Sequence, residues 1–232
     1  MKRLLSITAL WVGLCAVAHG QTTTRTVEAT GFTGLRLSGN LEVSIQESEQ
    51  YSVELTGDAE TLDRLLVEVR GSELVIRPKQ DNWNWNSYRG TVTVRIQAPN
   101  LERAEVSGSV DLRTLGTITP TRFRMGLSGA GKCDIGIETT ELSVSTSGSS
   151  DVVLRGTAQS LELQMSGSGD VSAFELAAQD VSVSTSGSAN VEVSASRRIE
   201  ASTSGSSNIR YRGAPTDVNM STSGSGKITK VG

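Results

Sequence analysis

The sequence predicts an all-β chain: a parallel β-helix with coils of about 19–20 residues, preceded by a less regular cap region that contains a hairpin. Three observations predict it. A Ser-Gly step recurs at Gly108, Gly129, Gly148, Gly167, Gly187, Gly205 and Gly224, at spacings of 18 to 21 residues, and a period near twenty held over so many units marks a repeat array. Within each unit apolar residues alternate with period two, the signature of a strand with one buried face, and not with the 3.6 of a helix. Aromatic residues make up only 4% of the chain while glycines number 24, which suits an interior filled by stacked Val, Ile and Leu.

The chain opens with MKRLLSITALWVGLCAVAHGQ. Lys2 and Arg3, an apolar run from Leu4 to Ala18 and small residues after it read as a secretory signal over residues 1–20, too short an apolar run to span a membrane. Leu14 stands where a lipoprotein site needs a small residue before Cys15, so a lipid anchor is not expected. Removal of the signal leaves 20 basic against 25 acidic residues, net −5. That balance gives no basic face for nucleic acid. The exported chain also loses Cys15 and His19, keeping Cys133 as its one cysteine and no histidine, which excludes an internal disulfide and histidine-dependent chemistry.

Residues 21–232 are expected to form one domain, with 22–100 as less regular first coils and cap and 101–232 as the regular coils. SGNLEVSI at Ser38 already fits the repeat frame, with Val43 and Ile45 facing inward. DAETLDRL, from Asp58, reads as a single helical turn capped by Asp58. LLVEVRGSELVIRP, from Leu65 to Pro78, alternates on both sides of Gly71 and reads as a hairpin, and GTVTVRIQAP, from Gly90, as a further strand. This segment is expected to cover the open end of the stack, as repeat arrays require.

From residue 101 the coils are regular. Leu142, Val144 and Thr146 point inward, as do Leu161, Leu163 and Met165, then Val181, Val183 and Thr185, then Ile199, Ala201 and Thr203, and in the last coil Val218, Met220 and Thr222. After each glycine a second strand stacks Leu112, Cys133, Val152, Val171, Val191, Ile209 and Ile228 in one column, and Ile135, Leu154, Ala173, Val193 and Tyr211 in another. Two short strands per coil leave room for either two or three faces. Glycine at each step supplies the positive φ of a sharp corner, and the flanking Ser can bond turn backbone groups.

The run GFTGLRLSGNLEVSI, then LLVEVRGSELVIRP, then VTVRIQAPNLERAEVSGSVDL, then repeated SGSxDV units, resembles a secreted bacterial family named for the putative auto-transporter adhesin, head GIN domain, over roughly residues 27–230. The resemblance implies a β-helical fold, a place in the periplasm, on the outer-membrane surface or outside the cell, and an adhesin-like role. The chain is expected to end directly after its last coil, without a barrel-forming segment of its own.

The position four after each turn Ser holds Glu42, Asp111, Lys132, Asp151, Asp170, Asn190, Asn208 and Lys227. A calcium ladder needs carboxylates at each coil. The lysines and asparagines break that column, and a side-chain ladder, with Lys132 between Asp111 and Asp151, accounts for it without metal. No cofactor is expected. The outward carboxylates Glu162, Asp180 and Glu192 stand scattered among serines rather than paired for acid–base work. Cys133 is read as a small buried hydrophobe. Lys227 and Lys230 in the final coil read as edge charges that discourage strand pairing. Thr residues in the inward register disfavour an ice-binding face.

KQDNWNWNSYRG, from Lys79, holds both tryptophans of the exported chain. Extended, it places Trp83 and Trp85 on one face with Tyr88 and Arg89 near, a platform for a sugar ring or a protein partner; the same residues could instead cover the end of the stack. The sequence thus reads as a non-catalytic envelope or secreted binding protein, adhesin-like or a surface scaffold, with Trp83, Trp85, Tyr88 and Arg89 as candidate ligand-binding residues for a glycan or an envelope protein. A β-helical carbohydrate-active enzyme and a self-associating structural protein are the competing classes.

Overall fold

The structure, a computed structural model, describes residues 22–79 and 90–231. The expected signal, residues 1–20, lies outside the described residues. The described residues are all-β apart from one helical turn. Its strands are β1 (Thr22–Val27), β2 (Gly34–Glu47), β3 (Ser52–Asp58), β4 (Leu65–Arg70), β5 (Glu73–Pro78), β6 (Val92–Ala98), β7 (Arg103–Ile118), β8 (Arg122–Gly205), β9 (Asn208–Arg212), β10 (Asp217–Gly224) and β11 (Lys227–Lys230), with α1 at Ala59–Asp63.

Most of the chain runs as parallel ladders in the frame of the repeat. β2 pairs β7 so that Gly39 lies beside Gly108 and Val43 beside Leu112. β7 pairs β8 with Gly108 beside Gly129 and Leu112 beside Cys133. β9 pairs β8, placing Ile209 beside Val191 and Tyr211 beside Val193, and β11 in turn sets Ile228 beside Ile209. Both expected columns are buried from Leu112 and Ile135 onward, with Ile228 half-buried. A single continuous core results, because every inward residue rests on inward residues of the neighbouring turns.

The glycine steps do more than turn the chain. At Gly108 φ is +92°, and a Cβ there would lie 2.7 Å from the carbonyl oxygen of Gly39. Two constraints therefore meet at one position: a backbone conformation that costs an L side chain free energy, and a stacked backbone too close for any side chain.

Beyond β2 the N-terminal part adds strands that are largely antiparallel. β6 continues the parallel stack on the second half of β2; β3 then pairs β6 antiparallel and β1 pairs β3 antiparallel. On the first half of β2 lies β5, parallel, with β4 antiparallel to it across the turn at Gly71. Asp58 caps α1, its carboxylate accepting from the amides of Glu60 and Thr61, and α1 lays Thr61 and Leu62 into the core.

The last coil departs from expectation. Val218 and Met220 occupy the inward register beside Ile199 and Ala201, yet they are 48% and 37% exposed, and Thr222 is exposed with them. Their neighbours on β8 are buried because a strand lies on each side. β10 pairs β8 alone.

Candidate functional site

The outward column named from sequence stands on the outer face of the sheet, and three of its members, Asp170, Asn190 and Asn208, hold one another through their side chains. Asn190 Nδ2 donates to Asp170 Oδ1 at 2.9 Å, and Asn208 Nδ2 donates to Asn190 Oδ1 at 3.2 Å. The backbone amide of Lys132 donates to Asp111 Oδ1 at 3.0 Å. A side-chain ladder therefore runs through Asp170, Asn190 and Asn208, whereas Lys132 reaches Asp111 through its backbone amide and not its ammonium. Among the described residues no group of three or more His, Cys, Asp or Glu side chains is placed to hold a metal ion.

Where the column crosses β6, β2, β7 and the start of β8 the outer face is concave, with a cleft of about 470 Å³. Glu42, Asp111, Lys132 and Asp151 lie along its floor, and the next outward row adds Ser44, Arg113 and Asp134. β7 bulges immediately beyond Arg113: Arg113 is beside Asp134 and Thr117 beside Gly136, so β7 carries two more residues than its partner. Bulges bend the strand that carries them and re-aim its side chains. Thr114 Oγ1 accepts from the amide of Gly136 at 2.8 Å and holds the bulge in place, and Leu115 at its tip is 48% exposed.

Cys133, at the inner side of the cleft lining, is buried and free. Burial pushes its thiol up to about 12, the Asp111 carboxylate adding to the rise and a backbone hydrogen bond opposing it. A thiol so disposed carries no thiolate at neutral pH and behaves as the small hydrophobe expected. The scattered outward carboxylates have partners. Glu192 pairs with Arg210 at 2.7 Å, Glu162 accepts from Gln164 at 2.8 Å, and Asp180 accepts from Arg197 Nε at 2.7 Å. The Arg197 hydrogen bond holds the Asp180 carboxyl below the usual carboxylate range, outweighing partial desolvation.

Trp83, Trp85, Tyr88 and Arg89 lie outside the described residues, as does all of 80–89. The roots of that segment are placed. The amide of Lys79 donates to the Arg64 carbonyl at 2.8 Å. At the far root Asn40 Nδ2 donates to Gly90 O at 3.4 Å and Thr91 Oγ1 at 3.3 Å. Asn40 stands two residues before Glu42, and Thr93, two after Thr91, lines the cleft. The far root of that segment, at Gly90 and Thr91, therefore shares an anchor on β2 with the cleft. Sequence reasoning missed the cleft, although the 21-residue spacing from Gly108 to Gly129 is the trace of the bulge beside it. Among the described residues no helix is long and apolar enough to cross a membrane.

The chain's relatives share this architecture. A putative adhesin from Bacteroides fragilis NCTC 9343 is similar over 92% of this chain and 98% of its own, at 21% identity and a TM-score of 0.83. A putative lipid binding protein from Parabacteroides distasonis ATCC 8503 is similar over the same shares, at 22% identity and a TM-score of 0.71. A putative adhesin from Parabacteroides merdae ATCC 43184 covers 92% of this chain and 97% of its own, at 18% identity and a TM-score of 0.70. At such identities the likeness speaks for the fold alone. No curated protein matches the sequence. The family model of the putative auto-transporter adhesin, head GIN domain, matches residues 31–215, which span β2 to β9, and the chain belongs to that family.

Proposed function

We propose that the chain is an exported, non-catalytic binding protein of the cell envelope or surface: one parallel β-helical domain over residues 21–232 behind a cleaved signal at 1–20, binding glycan through Trp83, Trp85, Tyr88 and Arg89. The observation that carries this reading is the shared anchor. Asn40 ties the root of the aromatic segment at Gly90 and Thr91 to the strand that brings Glu42 to the cleft floor. A sugar is bound by aromatic surface to stack on together with carboxylates, hydroxyls and cations to bond its hydroxyls; the segment's sequence supplies the first and the cleft lining the second. The outward Asp and Asn side chains of later coils bond one another, which suits a stiff support for such a groove. The name of the Parabacteroides lipid binding protein supplies a contrasting ligand to include in the test.

The experiment is a titration of the purified protein with envelope and plant polysaccharides, and in parallel with phospholipid vesicles, followed by tryptophan fluorescence. Both tryptophans of the exported chain report on the candidate segment. A saturable shift with a polysaccharide, lost in Trp83→Ala and Trp85→Ala while the unfolding midpoint holds, is the expected result. A response to vesicles alone, or to nothing, would sink the glycan reading.

A further inference from the structure

The described C-terminal edge is built unlike an end meant for water. β10 pairs only β8, and β11 only β9, so each presents a row of backbone donors and acceptors with no strand beside it among the described residues. Val218 and Met220 stand exposed in the inward register of β10, and Ile228 of β11 is half-buried. Apolar side chains and unpaired strand edges thus coincide on two adjoining faces.

The opposite end of the same two faces offers matching edges. The face ending in β10 runs back through β8, β7 and the first half of β2 to β5 and β4; the face ending in β11 runs back through β9, β8, β7 and the second half of β2 to β6, β3 and β1. Among the described residues β4 and β1 are each paired on one side only. A depression of about 250 Å³ lies at this end, lined by Val27, Leu65, Leu66 and Val67 among others, and the guanidinium at its rim, Arg25, is already held by Asp63 at 2.7 Å. The ends also differ in charge. Residues 22–79 carry ten acidic and six basic side chains, whereas residues 206–231 carry four basic and one acidic.

We infer that the C-terminal end of one copy of this chain docks on the N-terminal end of a second copy, β10 against β4 and β11 against β1, so that both faces continue from copy to copy. Val218 and Met220 enter the depression beside β4. Lys227 and Lys230, which make no ion pair among the described residues, oppose the pairing of two like ends and complement the acidic end. Because the two surfaces differ, the contact is heterologous and propagates into an open chain of copies instead of closing as a two-fold dimer.

Sedimentation velocity of the purified protein over about a hundredfold range of concentration tests this. The mean mass is expected to rise with concentration, beyond that of a dimer, and to fall in high salt. Met220→Asp is expected to weaken association at least about tenfold, a loss of roughly 1.4 kcal/mol. Its thermal unfolding should match the parent, since Met220 is exposed. A single mass at all concentrations, or association indifferent to Met220→Asp, would overturn the proposal. Cysteine cross-linking fixes the polarity, Cys133 being buried and out of reach. A mixture of Met220→Cys and Leu66→Cys proteins should form a disulfide-linked pair under mild oxidation; Met220→Cys linking to itself instead would mean like ends meet, and would equally overturn it.

Discussion

The middle of the stack and its two ends carry the same alternating sequence and reach different burial. Ile199, Ala201 and Thr203 on β8 and Val218, Met220 and Thr222 on β10 are register partners; the first three are buried and the second three exposed. At the N-terminal end β5 lies on the first half of β2 and β6 on the second, backed by β4, β3, β1 and α1, and Leu35, Leu37, Leu41 and Ile45 are buried. Periodicity therefore fixes which way a side chain points. Whether it leaves water depends on a second neighbour, which the local pattern does not encode.

Glycines give this comparison its largest test. Gly108 lies between stacked turns at φ +92°, with Gly39 O 2.7 Å from where a Cβ would be, whereas Gly71 turns the β4–β5 hairpin at φ +61° with no atom within 4 Å. Gly71→Ala carries only the conformational cost, about 1 kcal/mol. Gly108→Ala adds overpacking against backbone that cannot move aside, for a total of about 4 kcal/mol. Denaturant unfolding of both variants checks it; equal losses would mean that stacking imposes no constraint beyond φ.

The core offers the next contrast. Leu154 is fully buried and Val218 is 48% exposed, although both face inward by register. Leu154→Ala should cost about 3 kcal/mol, and Val218→Ala no more than about 0.5 kcal/mol in dilute solution. A large loss at Val218 under those conditions would show that its end is covered in the isolated protein.

Most of the fold was legible for the same reason that these contrasts exist. The stacking columns, the hairpin at Gly71 and the Asp58 cap follow from local pattern, because period-two alternation, a turn glycine and a capping carboxylate each act over a few residues. The antiparallel pairing of β1 with β3 and the exposure of the last coil did not follow, since both depend on which distant segment lies alongside. At the candidate site the Asp–Asn ladder was legible from the repeat column. The cleft was not: two extra residues in β7 show in the spacing, but the hollow they border needs β6 and β2 alongside.

A buried hydroxyl gives a smaller effect of opposite sign. Thr185 Oγ1 lies in the inward column and finds no hydrogen-bond partner among the described residues, while Thr222 in the same register of the last coil is exposed. Thr185→Val replaces a buried unsatisfied hydroxyl by a methyl of similar shape and should raise stability by about 1 kcal/mol. Thr222→Val should leave it unchanged within about 0.5 kcal/mol.

The smallest effect lies on the outer face, at the Asp180–Arg197 pair. The Arg197 hydrogen bond lowers the Asp180 pKa in the folded chain below its ordinary value of 3.8, and the same bond raises that of Arg197. A carboxylate whose folded pKa is depressed contributes stability that is present above the unfolded value and lost as pH falls through the folded one. The pair therefore adds its increment above about pH 4 and loses it in more acid solution. Arg197→Gln should lower the denaturant midpoint slightly at pH 6 and low salt, and the difference from the parent should shrink to nothing as pH falls below the folded value. High salt should narrow the gap at pH 6 as well, because the pair sits at the surface and is screened. A difference that persisted at the acid end would assign the role of Arg197 to the packing of its aliphatic stem across the outer face, and not to its charge.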